Sequence, residues 1–179
     1  MSKNIVTTDT PSEGYAGSAG HTLSIFVANQ PGVLMRISQV FARRGYNIDS
    51  LVVSEGRDPK YSRMTIGLSG DPEGLEQIVK QVNKLIDVIH CFEHTNHNAV
   101  VKELVLVKAV VSTEQRTEAL QILEHFGGKT VDLTSNSLIA MITGNSDKVD
   151  SALRMLSNFE IVETVRTGKV VMARGEQVT

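Results

Sequence analysis

One apolar pattern occurs twice along this chain, and it constrains the fold more than any single residue does. In the first copy Leu23, Ile25 and Val27 alternate as in a half-buried strand. Asn29-Gln30-Pro31-Gly32 breaks the alternation, and Val33, Leu34, Ile37, Val40 and Phe41 follow at helical spacing. Pro31 is expected at the first helical position, where a missing N–H costs nothing. Gly45, after Arg43 and Arg44, is expected to stop the helix. Residues 48–53 read as a strand, residues 55–59 as a turn, and Met64, Ile66 and Leu68 as one face of the returning strand. Asp71-Pro72 opens a second helix carried by Leu75, Ile78, Val79 and Val82, and residues 88–92 make the last strand.

The order strand-helix-strand-strand-helix-strand then repeats. Residues 104–111 read as a strand, and Thr113 with Arg116 opens a helix carrying Ala119, Leu120, Leu123 and Phe126. Residues 131–133 and the alternating Leu138, Ala140 and Ile142 form two strands, and Asn145 caps a helix carrying Val149, Ala152, Leu153 and Leu156. A final strand covers residues 161–172, with a break expected at Thr167-Gly168. The fold class is therefore α+β, two ferredoxin-like units, each an antiparallel four-stranded sheet with two helices on one face. The expected organisation is a mobile Gly/Ser/Thr-rich tail at 1–20, a first unit at 21–97, a second at 98–174 and a short tail at 175–179. A unit of this size has a marginal core, and its second sheet face lacks a covering layer. Val53, Ile139 and Met141 fall on that side, so burial is expected between the units or between chains.

Little here invites catalysis. With 18 basic and 20 acidic residues, bulk attraction to nucleic acid or anionic lipid is not expected. The strands that would stack RNA bases in this topology offer only Phe26 and Tyr61. The single Cys91 excludes an intramolecular disulfide and a thiolate zinc cluster. His90, Cys91, His94 and His97 are close in sequence, but on a strand His90 and His94 face away from Cys91, so no metal site is expected. No apolar run reaches the roughly 20 residues that cross a membrane, and a soluble, cytoplasmic location is expected. No catalytic residue is assigned.

The motif Asn29-x-Pro31-Gly32-x-Leu34 does carry a mechanism. The N–H groups of Gly32, Val33 and Leu34 at a helix start suit a carboxylate, and a residue without a side chain permits close approach. The amide oxygen of Asn29 could accept from an ammonium. The same residues also fit an ordinary helix start capped by Asn29.

Beyond the fold, the first unit resembles the ACT domain, which binds amino acids between paired copies. The stretches FARRGYNIDSL at 41–51, DPKYSRMTI at 58–66, KELVLVK at 102–108 and VRTGKV at 165–170 together resemble the small, regulatory subunits of acetolactate synthase. Lys102 stands where many members carry Arg, and residues 1–20 have no counterpart in the shortest members. The resemblance implies a non-catalytic chain that holds no cofactor itself. Its partner would be a large subunit carrying thiamine diphosphate, Mg2+ and FAD, which condenses two pyruvates, or pyruvate and 2-oxobutyrate. It also implies activation of that subunit and feedback inhibition by valine, in some members by leucine or isoleucine. The alternative is a free-standing ACT-type amino-acid sensor acting on another partner. On the leading reading the chain is a homodimer or higher, and valine sits at the dimer interface. Its carboxylate would meet Gly32, Val33 and Leu34, its ammonium Asn29 and Asn47, and its side chain Leu34 and Ile48. Arg43, Arg44 and Arg63 are expected to be exposed and to bind no ligand.

Overall fold

The computed structural model describes residues 20–94 and 98–179. The expected tail at 1–20, apart from Gly20, falls outside these residues, as do His97 and part of the joint between the units.

The first domain runs β1 (His21–Ala28), α1 (Val33–Arg43), β2 (Asn47–Glu55), β3 (Tyr61–Ser69), α2 (Pro72–Val82) and β4 (Val88–His94). Its antiparallel sheet has the order β2-β3-β1-β4. Leu23, Ile25 and Val27 of β1 and Met64, Ile66 and Leu68 of β3 face the helices, where Val33, Ile37 and Phe41 of α1 and Leu75, Ile78 and Val82 of α2 meet them. These intervals of three and four residues are the spacing that builds one apolar helical stripe.

The start of α1 differs from the sequence expectation. Gly32, not a residue before Pro31, is the N-cap, in the left-handed region at φ 85°, so Pro31 lies outside the helix rather than at its first position. The end matches it. Gly45 is left-handed at φ 72°, Gly45 N–H donates to Ala42 O at 3.2 Å, and Tyr46 N–H donates to Phe41 O at 3.1 Å. This double bond pattern satisfies two helix-end carbonyls, and Tyr46 and Phe41 both enter the core, as a Schellman ending favours.

Tyr46 is then enclosed by two glycines. A Cβ on Gly70 would lie 2.5 Å from the Tyr46 ring, and one on Gly74 would lie 2.5 Å from its hydroxyl. That hydroxyl donates to Asp71 O at the start of α2. On an open helix Gly→Ala stabilises by up to about 1 kcal/mol. At Gly74 the collision reverses the sign, and Gly74→Ala is expected to lower the urea-unfolding free energy by about 1–3 kcal/mol. A gain in stability would show that Tyr46 moves aside freely.

The second domain runs β5 (Ala99–Val110), α3 (Arg116–His125), β6 (Lys129–Leu133), β7 (Ser137–Gly144), α4 (Ser146–Leu156), β8 (Glu160–Arg166) and β9 (Val170–Ala173). The sheet order is β6-β7-β5-β8. β9 continues along β5 after a break at 167–169, where expected, and shifts the register by one residue. Asn145 caps α4 by accepting Lys148 N–H at 3.1 Å. At α3 the sequence reading fails in two details. Ser112 and Gln115 bond reciprocally, Ser112 Oγ to Gln115 N–H at 3.3 Å and Gln115 Oε1 to Ser112 N–H at 3.2 Å, so this pair and not Thr113 opens the turn. Leu120 is exposed, and Ile122 takes the core position beside Ala119 and Leu123.

The uncovered sheet faces behave differently in the two domains. Ile139 and Met141 are half-buried on a face without helices, as expected. Val53, opposite core residue Met64, instead lies on the helix side of the first sheet and is exposed because β2 is the edge strand. Ser24 and Thr65 on the helix-free side of the first sheet are nevertheless buried. The turn between β8 and β9 meets this face, because a Cβ on Gly168 (φ 85°) would lie 2.7 Å from Ser50 Cβ. The expected burial between units therefore occurs within one chain. No helix of the described residues is long and apolar enough to cross a membrane.

Candidate functional site

The junction of β1 and α1 is held by main-chain bonds to the turn before β3. Asn29 N–H donates to Lys60 O at 2.7 Å, and Asn29 Nδ2 donates to Pro59 O at 2.9 Å. With its NH2 group so used, the Asn29 side chain has its oxygen left as an acceptor. At the helix start Val33 N–H makes a long 3.5 Å bond to Gln30 O, and Arg36 N–H donates to Gly32 O at 3.1 Å. Among the described residues no main-chain acceptor meets the Gly32 or Leu34 N–H. The Val33 side chain is in the core, so only its main chain faces the junction, whereas Leu34 is exposed.

Arg36 was not singled out from the sequence, yet it completes this end. Its Nε and Nη2 bond Asp87 Oδ2 at 2.7 and 2.6 Å. Its Nη1 lies 3.1 Å from the place a Gly32 Cβ would occupy. The only available signal was an arginine one helical turn after Gly32, since Asp87 is brought in from another loop.

Asn47 and Ile48 sit at the opposite end of α1. Asn47 Nδ2 donates to Asp49 Oδ1 at 2.6 Å, and Ser69 Oγ donates to the same oxygen at 3.0 Å. A surface cavity of about 300 Å³ runs here between Ser38, Gln39, Ala42, Tyr46, Asn47 and Ile48. Eleven helical residues separate the two ends by about 16 Å. One chain thus groups Asn29, Gly32, Val33 and Leu34 together, and Asn47 with Ile48 elsewhere.

Arg43 and Arg44 are exposed, as expected. Arg63 is a correction. It is half-buried on the helix-free sheet face, with its guanidinium carbon 5.5 Å from the centroid of the Phe26 ring, and it donates to the main-chain oxygen of Thr179. The residues 175–179, expected as a tail, accordingly end in a buried Thr179.

The histidine cluster divides as strand geometry requires. Cys91 faces the helices, and burial pushes its thiol up to about 12. His90 and His94 lie on the other face, and no group of three or more His, Cys, Asp or Glu among the described residues is placed to hold a metal ion. His94 Nε2 is 2.6 Å from Ser24 Oγ. Burial first, and Arg63 second, hold the His94 pKa below its ordinary value. A folded value below the unfolded one means that the unfolded chain binds more protons as the pH falls. The stability from neutral His94 is then present above about pH 6.5 and is lost as pH drops through the window below it. The urea midpoint is expected to fall between pH 7 and pH 5.5, and His94→Gln should reduce that slope. Equal slopes would show that His94 titrates alike in both states.

Against known proteins, residues 23–90 match the family described as the AHAS small subunit-like ACT domain, and residues 102–175 match the one described as the small subunit of acetolactate synthase. The chain is 42% identical over 158 residues to a probable acetolactate synthase small subunit of Methanothermobacter thermautotrophicus, covering 88% of this chain and 94% of that one. It is 41% identical to the acetolactate synthase small subunit of Mycolicibacterium smegmatis, over 89% of this chain and 94% of that one. The crystal structure of the acetolactate synthase small subunit from Thermotoga maritima is similar with a TM-score of 0.79 and 36% identity, over 88% of this chain and 99% of that one.

Proposed function

The chain belongs to the acetolactate synthase small-subunit family, and on that premise we propose that it binds a large catalytic subunit, raises its activity and makes it sensitive to valine. In this reading thiamine diphosphate, Mg2+ and FAD all belong to the large subunit, and this chain contributes no reacting group.

The observation that carries the proposal is the division of the candidate site between the two ends of α1. β2 is an edge strand of its sheet, and unpaired edges invite pairing with another chain. β1 and β2 both run antiparallel to β3, and Ser62 is opposite both Val27 and Glu55. The end of β2 is therefore level with the start of α1, while Asn47, opposite Ser69, is at the far end. Pairing of two β2 edges about a two-fold axis runs antiparallel. It would carry Asn47 and Ile48 of one copy to the α1 start of the other. Val53, exposed on β2 itself, would be covered by this pairing.

At such a junction the Gly32 and Leu34 N–H groups and Arg36 Nη1 offer positive partners to an amino-acid carboxylate. Asn29 and Asn47 offer amide oxygens to the ammonium. Leu34 and Ile48 bound a small apolar side chain. After association costs, an affinity in the roughly micromolar-to-millimolar range fits contacts of this kind. Inhibition follows if valine favours the less active arrangement of the complex by about 1–3 kcal/mol.

The test is reconstitution with the large subunit from the same cell, reading acetolactate formation. Activity should rise when this chain is added, and valine should inhibit only in its presence. The pure chain alone should form no acetolactate. No rise in activity would overturn the reading. Sedimentation at micromolar protein should give a dimer or larger, and a concentration-independent monomer would overturn the shared site.

A further inference from the structure

Part of what covers the helix-free face of the first sheet comes from the far end of the described chain. After β9, Arg174 N–H is held by Asn98 O at 3.0 Å, and Gly175, at φ 70°, reverses the direction. Residues 174–178 stay exposed, yet Thr179 is only 6% exposed. Its main-chain oxygen accepts from Arg63 Nη1 and from His90 Nε2 at 3.1 Å, and its Oγ1 accepts Ala173 N–H at 2.7 Å. A main-chain oxygen only accepts, so His90 Nε2 carries a proton in this contact.

The donors are set in advance. Phe26 stacks on Tyr61 with centroids 5.2 Å apart and on His90 at 5.3 Å, and His90 meets Phe92 at 5.0 Å. This row of four rings crosses three strands, and Arg63 lies against Phe26. Rings on both sides restrict the His90 imidazole, and the Phe26 face favours the guanidinium. Groups already held in position lose less freedom when they take a partner. Ordering a surface segment costs conformational entropy at every residue, so a segment with five exposed residues needs an anchor at its end.

We propose that Arg63 and His90 form a donor site for the main-chain oxygen of residue 179 of the same chain, making residues 174–179 a strap that closes the second domain over the first sheet. The second domain also touches this sheet on the β2 side, where Gly168 packs against Ser50. The strap fastens the sheet through β3 and β4. Contact on two flanks restrains rotation of one domain against the other, and the strap side depends on hydrogen bonds that can be released.

The test uses the full chain and two variants, Arg63→Ala and Thr179→Val. Hydrogen exchange at Ala173 N–H reads the strap directly, because that donor bonds Thr179 Oγ1. Trypsin cleavage after exposed Arg174 reads it independently. Arg63→Ala should speed both by at least ten-fold while Leu23 and Ile25 amides keep their protection. Thr179→Val should speed Ala173 exchange without touching the first domain. Ala173 exchange and cleavage at the unmodified rate in Arg63→Ala would overturn the proposal. If the first-domain amides also lose protection in Arg63→Ala, the Thr179→Val result decides: faster Ala173 exchange supports the strap, and an unchanged rate overturns it.

Discussion

Replacing Arg166 by methionine is expected to destabilise the second domain by about 3–5 kcal/mol, the cost of leaving a buried charge without its partner. Glu103 on β5 has a side chain only 3% exposed. Arg166 on β8 engages it through two bonds, Nε to Oε2 at 3.0 Å and Nη2 to Oε1. Its Nη1 reaches Asp150 Oδ1 on α4 at 2.7 Å. The forked, charge-assisted geometry is the strong form of this contact, and hydrogen bonding to Glu103 is the largest cause raising the Arg166 pKa. A loss of this size is comparable with the whole stability of a small domain, so the thermal transition should drop by at least 10 °C or vanish. The double variant Glu103→Leu/Arg166→Met should recover most of it, because an apolar pair of similar volume leaves no stranded charge. A single-variant loss below about 1 kcal/mol would mean that water reaches Glu103.

Gly32→Asp is expected to abolish valine sensitivity while the large subunit is still activated. The new carboxylate would stand where the proposed site takes the effector's carboxylate, beside Arg36 Nη1, at a position whose φ of 85° already disfavours any side chain. Asn29→Ala and Asn47→Ala each remove one acceptor for a charged donor. A loss of about 1.5–3 kcal/mol raises the half-inhibitory valine concentration roughly 10- to 100-fold. A mixture of the two variants is more informative than either alone. In a two-fold dimer with shared sites, a mixed pair has one site with both defects and one intact site, so sensitivity should partly return. If each site lay within one chain, every site in the mixture would keep a defect and no recovery would appear. Recovery therefore supports the shared site, and its absence, with both single variants insensitive, places the site within one chain.

The regular elements were legible because their causes are local. The alternation of Leu23, Ile25 and Val27 and the helical spacing of Ile37 and Phe41 identify a buried face without knowledge of what covers it. Gly45 and Asn145 act through bonds to residues within a few positions, and both behave as the sequence implied. Even the break at Thr167-Gly168 depends on a single left-handed glycine. Pro31 and Leu120 were misplaced by one or two positions, where the spacing allowed more than one register and the packing of the finished domain chose. What only tertiary structure decided is how distant charges meet. Glu103 and Arg166 are brought together across a sheet, Arg36 finds Asp87, and Arg63 takes Thr179 from the far end of the described chain. The sequence by itself determined two sheets, their helices and the bare start of α1. The partners of its arginines depended on strand order and domain closure, because a charge is satisfied by whatever the fold brings near it, and no periodicity along the chain records that.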